Sequence, residues 1–159
     1  MVKDEVLEYS LVLQRKLAEE TSDTEVIEEI MKSKNHLVLI SLSTNKHLNT
    51  EQLKSLVALS QNNIVMRNVA KHKNVDGETL DKLSKGNHRA TIEAIAENPA
   101  ARDSTLQYIM SSKASYSING VYLVNSIYQN PSASEETKKK ALKFAQCVCP
   151  KTYKTNFRW

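Results

Sequence analysis

The chain contains very little glycine, proline or cysteine. Its 159 residues include three glycines, three prolines and two cysteines. A β-sandwich of this size needs many turns rich in glycine and proline, so their scarcity favours helices. The two cysteines, Cys147 and Cys149, are too few and too close together for a disulfide framework, which is typical of a reducing cytoplasm. The composition therefore predicts a cytoplasmic, all-α protein.

Long apolar stretches and catalytic motifs are also missing from the sequence. No stretch approaches the roughly 18 consecutive apolar residues that predict a membrane span, and the first ten residues are too acidic for a signal peptide. The sequence has no phosphate-binding loop, no GxSxG or HExxH motif and no paired carboxylates. Glu93 and Glu97 have the spacing of an exposed, solvated helix face. We therefore expect no membrane contact, no cofactor, no catalytic residue and no enzymatic activity.

Acidic and basic residues are unevenly distributed along the chain. Residues 1–32 carry a balance of −5, whereas the remainder carries +9. From Lys138 to the end there are seven basic residues and no acidic one. This division is typical of a surface for nucleic acid or for an acidic partner, and it is equally typical of a solvated face with a soluble tail.

An internal repeat organises the stretch from Asn63 to Met110. Five apolar residues of its first half are Met66, Val69, Ala70, Leu80 and Leu83. The residues 26 positions later are again apolar, namely Ile92, Ile95, Ala96, Leu106 and Ile109. A period of this length is the signature of stacked helical units. We therefore predict an all-α fold, a short α-α superhelical repeat array (a solenoid) of about five two-helix units.

The repeat also guides the interpretation of two ambiguous segments. Residues 36–44, HLVLISLST, have the composition of a buried strand, but their apolar positions align with those of the repeat helix that begins near Asn63, so they are predicted to form a helix. Residues 111–120 contain an Asn119-Gly120 turn signal and are interpreted as an insertion between units. The predicted repeat domain covers residues 1–147, most clearly 37–110, and a basic, aromatic tail covers residues 148–159.

Three recurring elements lie in two successive units, namely an apolar-x-x-apolar-Ala helix (Ile92, Ile95 and Ala96), an Asn-Pro turn (Asn98 and Pro99) and Leu-x-x-Leu-type helices (Leu80 and Leu83, Leu106 and Ile109). In these elements the chain resembles the leucine-rich repeat variant family, a relative of HEAT-like α-helical repeats. The resemblance is clear over about residues 37–110 and weaker over 120–145. The chain departs from the family at residues 72–74, where His-Lys-Asn replaces Asn-Pro, and in its unit lengths, which vary along the chain and are largest in the last step. The resemblance implies a binding scaffold of paired helices without catalytic residues.

Four polar residues recur at the turn of each unit, namely Asn45, His72, Asn98 and Asn130. Asn and His are both enriched among residues with left-handed backbone, so we expect these side chains to serve the turns rather than catalysis. We expect the same backbone conformation at Gly86, where it would end a helix. Cys147 and Cys149 lack the further ligands of a zinc site, so no metal is expected.

Two groups of residues are candidates for binding a partner. The first is a basic cluster in neighbouring units, Arg67, Lys71, Lys73, Lys85 and Arg89. The second lies in the last helix and the tail, Lys139, Lys143, Tyr153 and Trp159. Bases would neutralise phosphates and aromatics would stack on nucleobases. The tail aromatics would alternatively fold back and cover the open end of the array.

The sequence thus predicts a non-catalytic module that binds another protein as a scaffold, adaptor or inhibitor. The alternative is a nucleic-acid-binding protein that uses the basic repeat surface and the tail.

The repeat alignment makes a prediction about stability. Replacing Ile95 or Leu83 by alanine should lower the free energy of unfolding by roughly 2–5 kcal/mol, because each change removes buried methyl groups and leaves a cavity. Urea denaturation of the two variants measures this loss. A loss below about 1 kcal/mol, the range of ordinary surface substitutions, would mean that the alignment has mistaken the core.

Overall fold

The chain is all-helical in a computed structural model, which describes residues 9–33, 35–114 and 118–148. The helices in these ranges are α1 (Leu11–Glu20), α2 (Thr24–Met31), α3 (His36–Leu42), α4 (Thr50–Leu59), α5 (Asn63–Lys71), α6 (Gly77–Ser84), α7 (Arg89–Glu97), α8 (Asp103–Ser112), α9 (Ile118–Gln129) and α10 (Glu135–Val148). No β-strand occurs within the described ranges. The predictions of an all-α chain and of a helix within 36–44 are confirmed. None of the described helices is long and apolar enough to cross a membrane.

The helices belong to two compact units, divided between Val75 and Asp76. In unit 1, α3 packs against α1, α2 and α5, and α4 packs against α2 and α5. Its fully buried large side chains are Ile27, Ile30, Leu42, Leu48, Leu53 and Leu56. A capping box orders the start of α4, since the Asn49 and Gln52 side chains each accept the other residue's backbone N–H at 2.9 Å.

In unit 2, α7 packs against α6, α8 and α9, and α10 packs against α8 and α9. Its fully buried large side chains are Leu80, Ile95, Leu106, Ile109 and Ile127. The positions aligned by the repeat are therefore core positions, with one exception. In α5 the residue Val65 is fully buried, whereas the aligned Met66 is only partly buried.

Two expectations about glycine are wrong. Asn119 and Gly120 lie within the first turn of α9 rather than in a turn between helices. The buried residues Val121, Val124 and Ile127 have helical spacing, and their burial outweighs the local turn preference of Asn-Gly. No described residue has a positive φ, Gly86 included. Helix α6 ends with Lys85 in the right-handed α conformation, so no left-handed glycine ends this helix.

The four polar turn residues predicted from the repeat make the same local hydrogen bonds. The residues are Asn45, His72, Asn98 and Asn130. Each backbone N–H donates to the carbonyl three residues earlier. Each side chain accepts the N–H two residues later, at 2.8–3.1 Å. Each carbonyl accepts the N–H three residues later, from an apolar residue that is buried, namely Leu48, Val75, Ala101 and Ala133.

Within each unit, some of these side chains also bind the end of an earlier helix. The Asn45 Nδ2 donates to the carbonyls of Ala18 and Thr21, both at 2.8 Å. The His72 Nε2 contacts the Asn45 carbonyl at 3.0 Å, and the Asn130 Nδ2 donates to the Ala96 and Asn98 carbonyls at 2.8 and 2.9 Å. The structural role predicted for these residues is confirmed.

The reason that we gave for Asn and His at these turns is wrong. His72 has φ −71° and Asn98 has φ −80°, so both backbones are extended rather than left-handed. A side chain that carries both a donor and an acceptor is needed instead. Buried carbonyl and N–H groups cost free energy when they lack a partner, and Asn or neutral His can satisfy one of each.

His72 makes the stability of the fold depend on pH. Burial lowers its pKa, the bond to the Asn45 carbonyl raises it, and the nearby Lys73 lowers it further, so that the pKa lies below 6.5. The hydrogen bond at Nδ1 acts in the same direction as burial, since Nδ1 accepts the Asn74 N–H at 3.1 Å and a protonated ring has no acceptor. The folded state therefore binds the proton less readily than the unfolded state.

We expect the contribution of neutral His72 to the free energy of unfolding to be complete above the pKa of the unfolded state. It should be lost as the pH falls through the lower pKa of the folded state. Urea denaturation of the wild type and of His72→Asn, at pH 7.5 and at pH 5.5, tests this. Asn keeps a donor and an acceptor but does not titrate, so the variant should lose less stability between the two pH values. Equal losses in both proteins would assign the dependence to other groups.

Candidate binding groove

The sequence-predicted binding residues of unit 1 lie at the end of α5. Arg67 is partly buried, and its Nε is enclosed without a hydrogen-bond partner. Lys71 is the last residue of α5 and Lys73 lies in the following turn, and both are exposed. No contact described within unit 1 joins these three side chains into one site.

The remaining predicted residues are divided among three places. Lys85 and Arg89 lie on either side of the turn between α6 and α7 in unit 2. Lys139 and Lys143 are exposed on α10. Tyr153 and Trp159 lie outside the described residues. The convergence of the unit 1 residues with Lys85 and Arg89 stays a prediction.

An aromatic ring gathers basic side chains near the start of α7. The Lys85 Nζ lies 3.7 Å from the centre of the Tyr108 ring, and the Lys113 Nζ lies 5.9 Å from it. The ring quadrupole attracts cations at these distances. Lys113 also donates to the Asn87 Oδ1 at 2.8 Å. Sequence reasoning missed Tyr108 and Lys113. The sequence does contain a pattern that could have indicated Lys113, because Asn87 and Lys113 are separated by one period of the repeat.

Beside this basic cluster, two adjoining pockets form a groove along α7 and α9. The first pocket has a volume of about 190 Å³ and is lined by Asn87, Arg89, Ile92, Glu93, Lys113, Gly120 and Leu123. The second shares three of these residues and is lined by Arg89, Glu93, Glu97, Tyr122, Leu123, Asn125 and Ser126. We call these residues together the α7–α9 groove.

The helical period of α7 explains its wall of the groove. Arg89, Glu93 and Glu97 follow one another at intervals of four residues, so they share one face of the helix. Ile95 and Ala96 point into the core and are fully buried. The solvated face that the acidic residues predicted is therefore part of a groove wall.

Hydrogen bonds hold the two walls together near both ends. At one end the Asn130 side chain, directly after α9, binds the carbonyls of Ala96 and Asn98 at the end of α7. At the other end Lys113, before α9, binds Asn87, before α7. The turn residue Asn130 thus has a second effect, which is to fix the groove.

The charges of the groove change sign along its length. Lys113 lines only the first pocket, Arg89 and Glu93 line both pockets, and Glu97 lines only the second. The Arg89 Nε is paired with the Glu93 Oε1 at 2.6 Å. Glu97 is the last residue of α7, where the negative end of the helix dipole disfavours a carboxylate. The groove is therefore basic at one end and acidic at the other.

Tyr122 and Asn125 are the larger polar side chains of the α9 wall. The Tyr122 side chain is 55% exposed. The Asn125 Oδ1 is buried and has no hydrogen-bond partner in the described part of the chain. An unpaired acceptor of this kind costs free energy in the folded state, so it calls for an explanation other than stability.

The His, Cys, Asp and Glu side chains of the described residues are dispersed. They include no cluster of three or more His, Cys, Asp or Glu side chains that could hold a metal ion. His88 Nδ1 lies 2.9 Å from the Thr91 hydroxyl, but Thr91 is only 3% exposed, so a substrate has no access to it. Cys147 is exposed, and Cys149 lies outside the described residues. The chemistry that the groove supports is recognition by charge and apolar contact.

The two asparagines of the α9 wall should respond differently to the same substitution. Asn125→Leu should leave the free energy of unfolding unchanged or raise it, because it removes an unpaired acceptor. Asn130→Leu should lower it by about 1–3 kcal/mol or more, because it leaves buried backbone groups unpaired. Urea denaturation of both variants tests this. Equal losses would show that the Asn125 Oδ1 has a partner in the folded protein.

No family model, no curated protein and no solved structure matches this chain. The resemblance to the leucine-rich repeat variant family accordingly remains an interpretation of the residues that carry it.

Proposed function

We propose that this protein is a non-catalytic helical-repeat module that binds a protein partner in the α7–α9 groove. The observation that carries this proposal is the composition of the groove. Its floor includes the apolar residues Ile92 and Leu123, and its walls carry charges of both signs. Such a mixture of apolar and polar contacts is typical of protein recognition.

The shared hydrogen bonds of the four turns support the repeat part of the proposal. In each turn, the side chain of the turn residue accepts the backbone N–H two residues later; the turn residues are Asn45, His72, Asn98 and Asn130. Two helices lie between each of these turns and the next. We propose that these turns belong to a short solenoid of about five two-helix units, as the family resemblance implies. Solenoids present extended surfaces for partners.

Electrostatics favours a protein partner over nucleic acid at this groove. Each nucleotide brings a phosphate, and a strand along α7 would place phosphates against Glu93 and Glu97. Arg89 is already paired with Glu93, and the Lys85 ammonium occupies a face of the Tyr108 ring, where a base would stack. A polypeptide can vary its charge from residue to residue, so it can match both ends.

Nucleic-acid binding stays the second candidate because of α10. Lys139 and Lys143 are exposed at a four-residue interval, and neither has an ion pair within the described ranges. Their neighbours Lys138 and Lys140 are paired with Glu135 and Glu136. Like charges at this spacing repel each other, and a polyanion would relieve that repulsion. The exposed Cys147 thiol suits either function in a reducing cytoplasm.

Quantitative affinity capture tests the proposal. The full chain, Glu97→Lys and the matched control Glu28→Lys are immobilised, and nuclease-treated extract of the cells that produce the protein is passed over each. Glu28 is an exposed residue of α2 in unit 1 and lines neither pocket of the groove, so its substitution makes the same change of charge at a residue outside the groove. Mass spectrometry should identify proteins that the wild type and Glu28→Lys retain and that Glu97→Lys loses.

Two outcomes would contradict the proposed function. The first is retention of the same proteins by all three baits. The second is retention of nucleic acid alone from untreated extract, with an affinity that falls steeply with salt and that Lys139→Glu/Lys143→Glu abolishes. This second outcome would establish the alternative.

A further inference from the structure

We infer that the α7–α9 groove recognises an extended peptide segment of its partner in which an acidic and a basic side chain lie four residues apart. The inference rests on the proposed function and names the chemistry of the segment that the groove takes. It follows from three features, which are the spacing of the charges on α7, the pocket beside Arg89 and Glu93 and the hydrogen-bonding groups that the groove residues still offer.

The spacing of α7 matches that of an extended chain. Residues four apart on a helix are separated by about 6 Å along its axis. Side chains on the same face of an extended strand are two residues apart, which is about 6.7 Å. Peptide residues i, i+2 and i+4 therefore stay in register with Arg89, Glu93 and Glu97.

The basic end has donors for a carboxylate. The Arg89 Nε is bound to Glu93, but a guanidinium has five N–H donors in total. Lys113 gives one hydrogen bond to Asn87, and its ammonium group has three donors. A carboxylate between these two residues accepts charge-assisted hydrogen bonds from both, which are the stronger class of hydrogen bond.

The pocket beside Arg89 and Glu93 accommodates an apolar side chain. Ile92 and Leu123 are only 4% and 7% exposed, and they line a pocket of about 190 Å³. For comparison, an apolar cavity of about 150 Å³ in another protein is large enough to bind benzene. The side chain of residue i+2, of the size of leucine or phenylalanine, fits this pocket and excludes water from the neighbouring charges.

The acidic end favours a cation for two reasons. Glu97 is exposed, and it lies at the negative end of the α7 dipole. A Lys or Arg at peptide position i+4 is attracted by both. The exposed Tyr122 ring lines the same end, and its face attracts a cation as well.

Selection from a library of random heptapeptides displayed on phage tests the inference while the partner is still unidentified. The baits are the full-length wild type, Glu97→Lys and the Glu28→Lys control. The wild type should enrich peptides with one acidic and one basic residue four positions apart, in either order, because the charges do not fix the chain direction. Glu97→Lys should instead enrich two acidic residues four positions apart, and Glu28→Lys should give the wild-type pattern.

Synthetic peptides then measure the preference. The probes are fluorescein-labelled Ser-Glu-Ser-Leu-Ser-Lys-Ser, its reverse sequence, and Ser-Glu-Ser-Leu-Ser-Glu-Ser. Fluorescence anisotropy should show that the wild type binds one of the two mixed probes at least roughly threefold more tightly than the doubly acidic probe, a scale set by exposed ion pairs. Glu97→Lys should reverse that preference. Because lysine suits the end of a helix, thermal unfolding of this variant should match the wild type.

The possible failures are distinguishable. Enriched peptides without the four-residue charge spacing, or a spacing that Glu97→Lys leaves unchanged, would overturn the inference while leaving a peptide-binding module. Failure of all baits to enrich any peptide would also overturn it. The proposed function would fall only if the capture experiment also found no protein that depends on Glu97.

Discussion

The structure depends on hydrogen bonds between turn side chains and buried backbone groups. Asn45 and Asn130 each donate to two carbonyls at the end of an earlier helix and accept one N–H of their own turn. Short helices of seven to fourteen residues are marginal on their own, so their ends need partners that apolar packing cannot supply. The packing provides most of the stabilisation, and the turn residues decide which helix end lies against which.

The same bonds connect architecture to recognition. Asn130 ties the end of α9 to the end of α7, and these two helices are the walls of the groove. The charges of α7 then follow from helical periodicity alone. A groove whose walls are held in place before the partner arrives loses less conformational entropy on binding. The unpaired Asn125 acceptor and the carboxylate at the end of α7 both cost free energy in the folded state, and the proposed binding function would explain why they are present.

The sequence predicted what is local or periodic. The helical segments, the core positions Leu80, Ile95 and Leu106, and the structural role of His72 follow from spacing and residue type. Asn119-Gly120 was misread because the burial of Val121 and Val124 outweighs a local turn preference. Lys113 was missed because the repeat was aligned on its apolar positions, although Asn87 lies one period of the repeat before it. A left-handed backbone was expected at the turns because Asn and His are frequent in that conformation. The structure shows that these residues are present for the hydrogen bonds that their side chains make.

One consequence concerns how such a chain can change in length. The side chains of His72 and Asn130 each bind the carbonyl of an earlier turn residue, whatever the number of residues in between. His72 reaches back to Asn45 across 27 residues, whereas Asn130 reaches back to Asn98 across 32 residues. Both nevertheless make the same contact to their own turn, so extra residues between turns leave the pairing of the helix ends intact. Gene duplication and short insertions can remodel the surface of a protein built in this way without redesigning its interior.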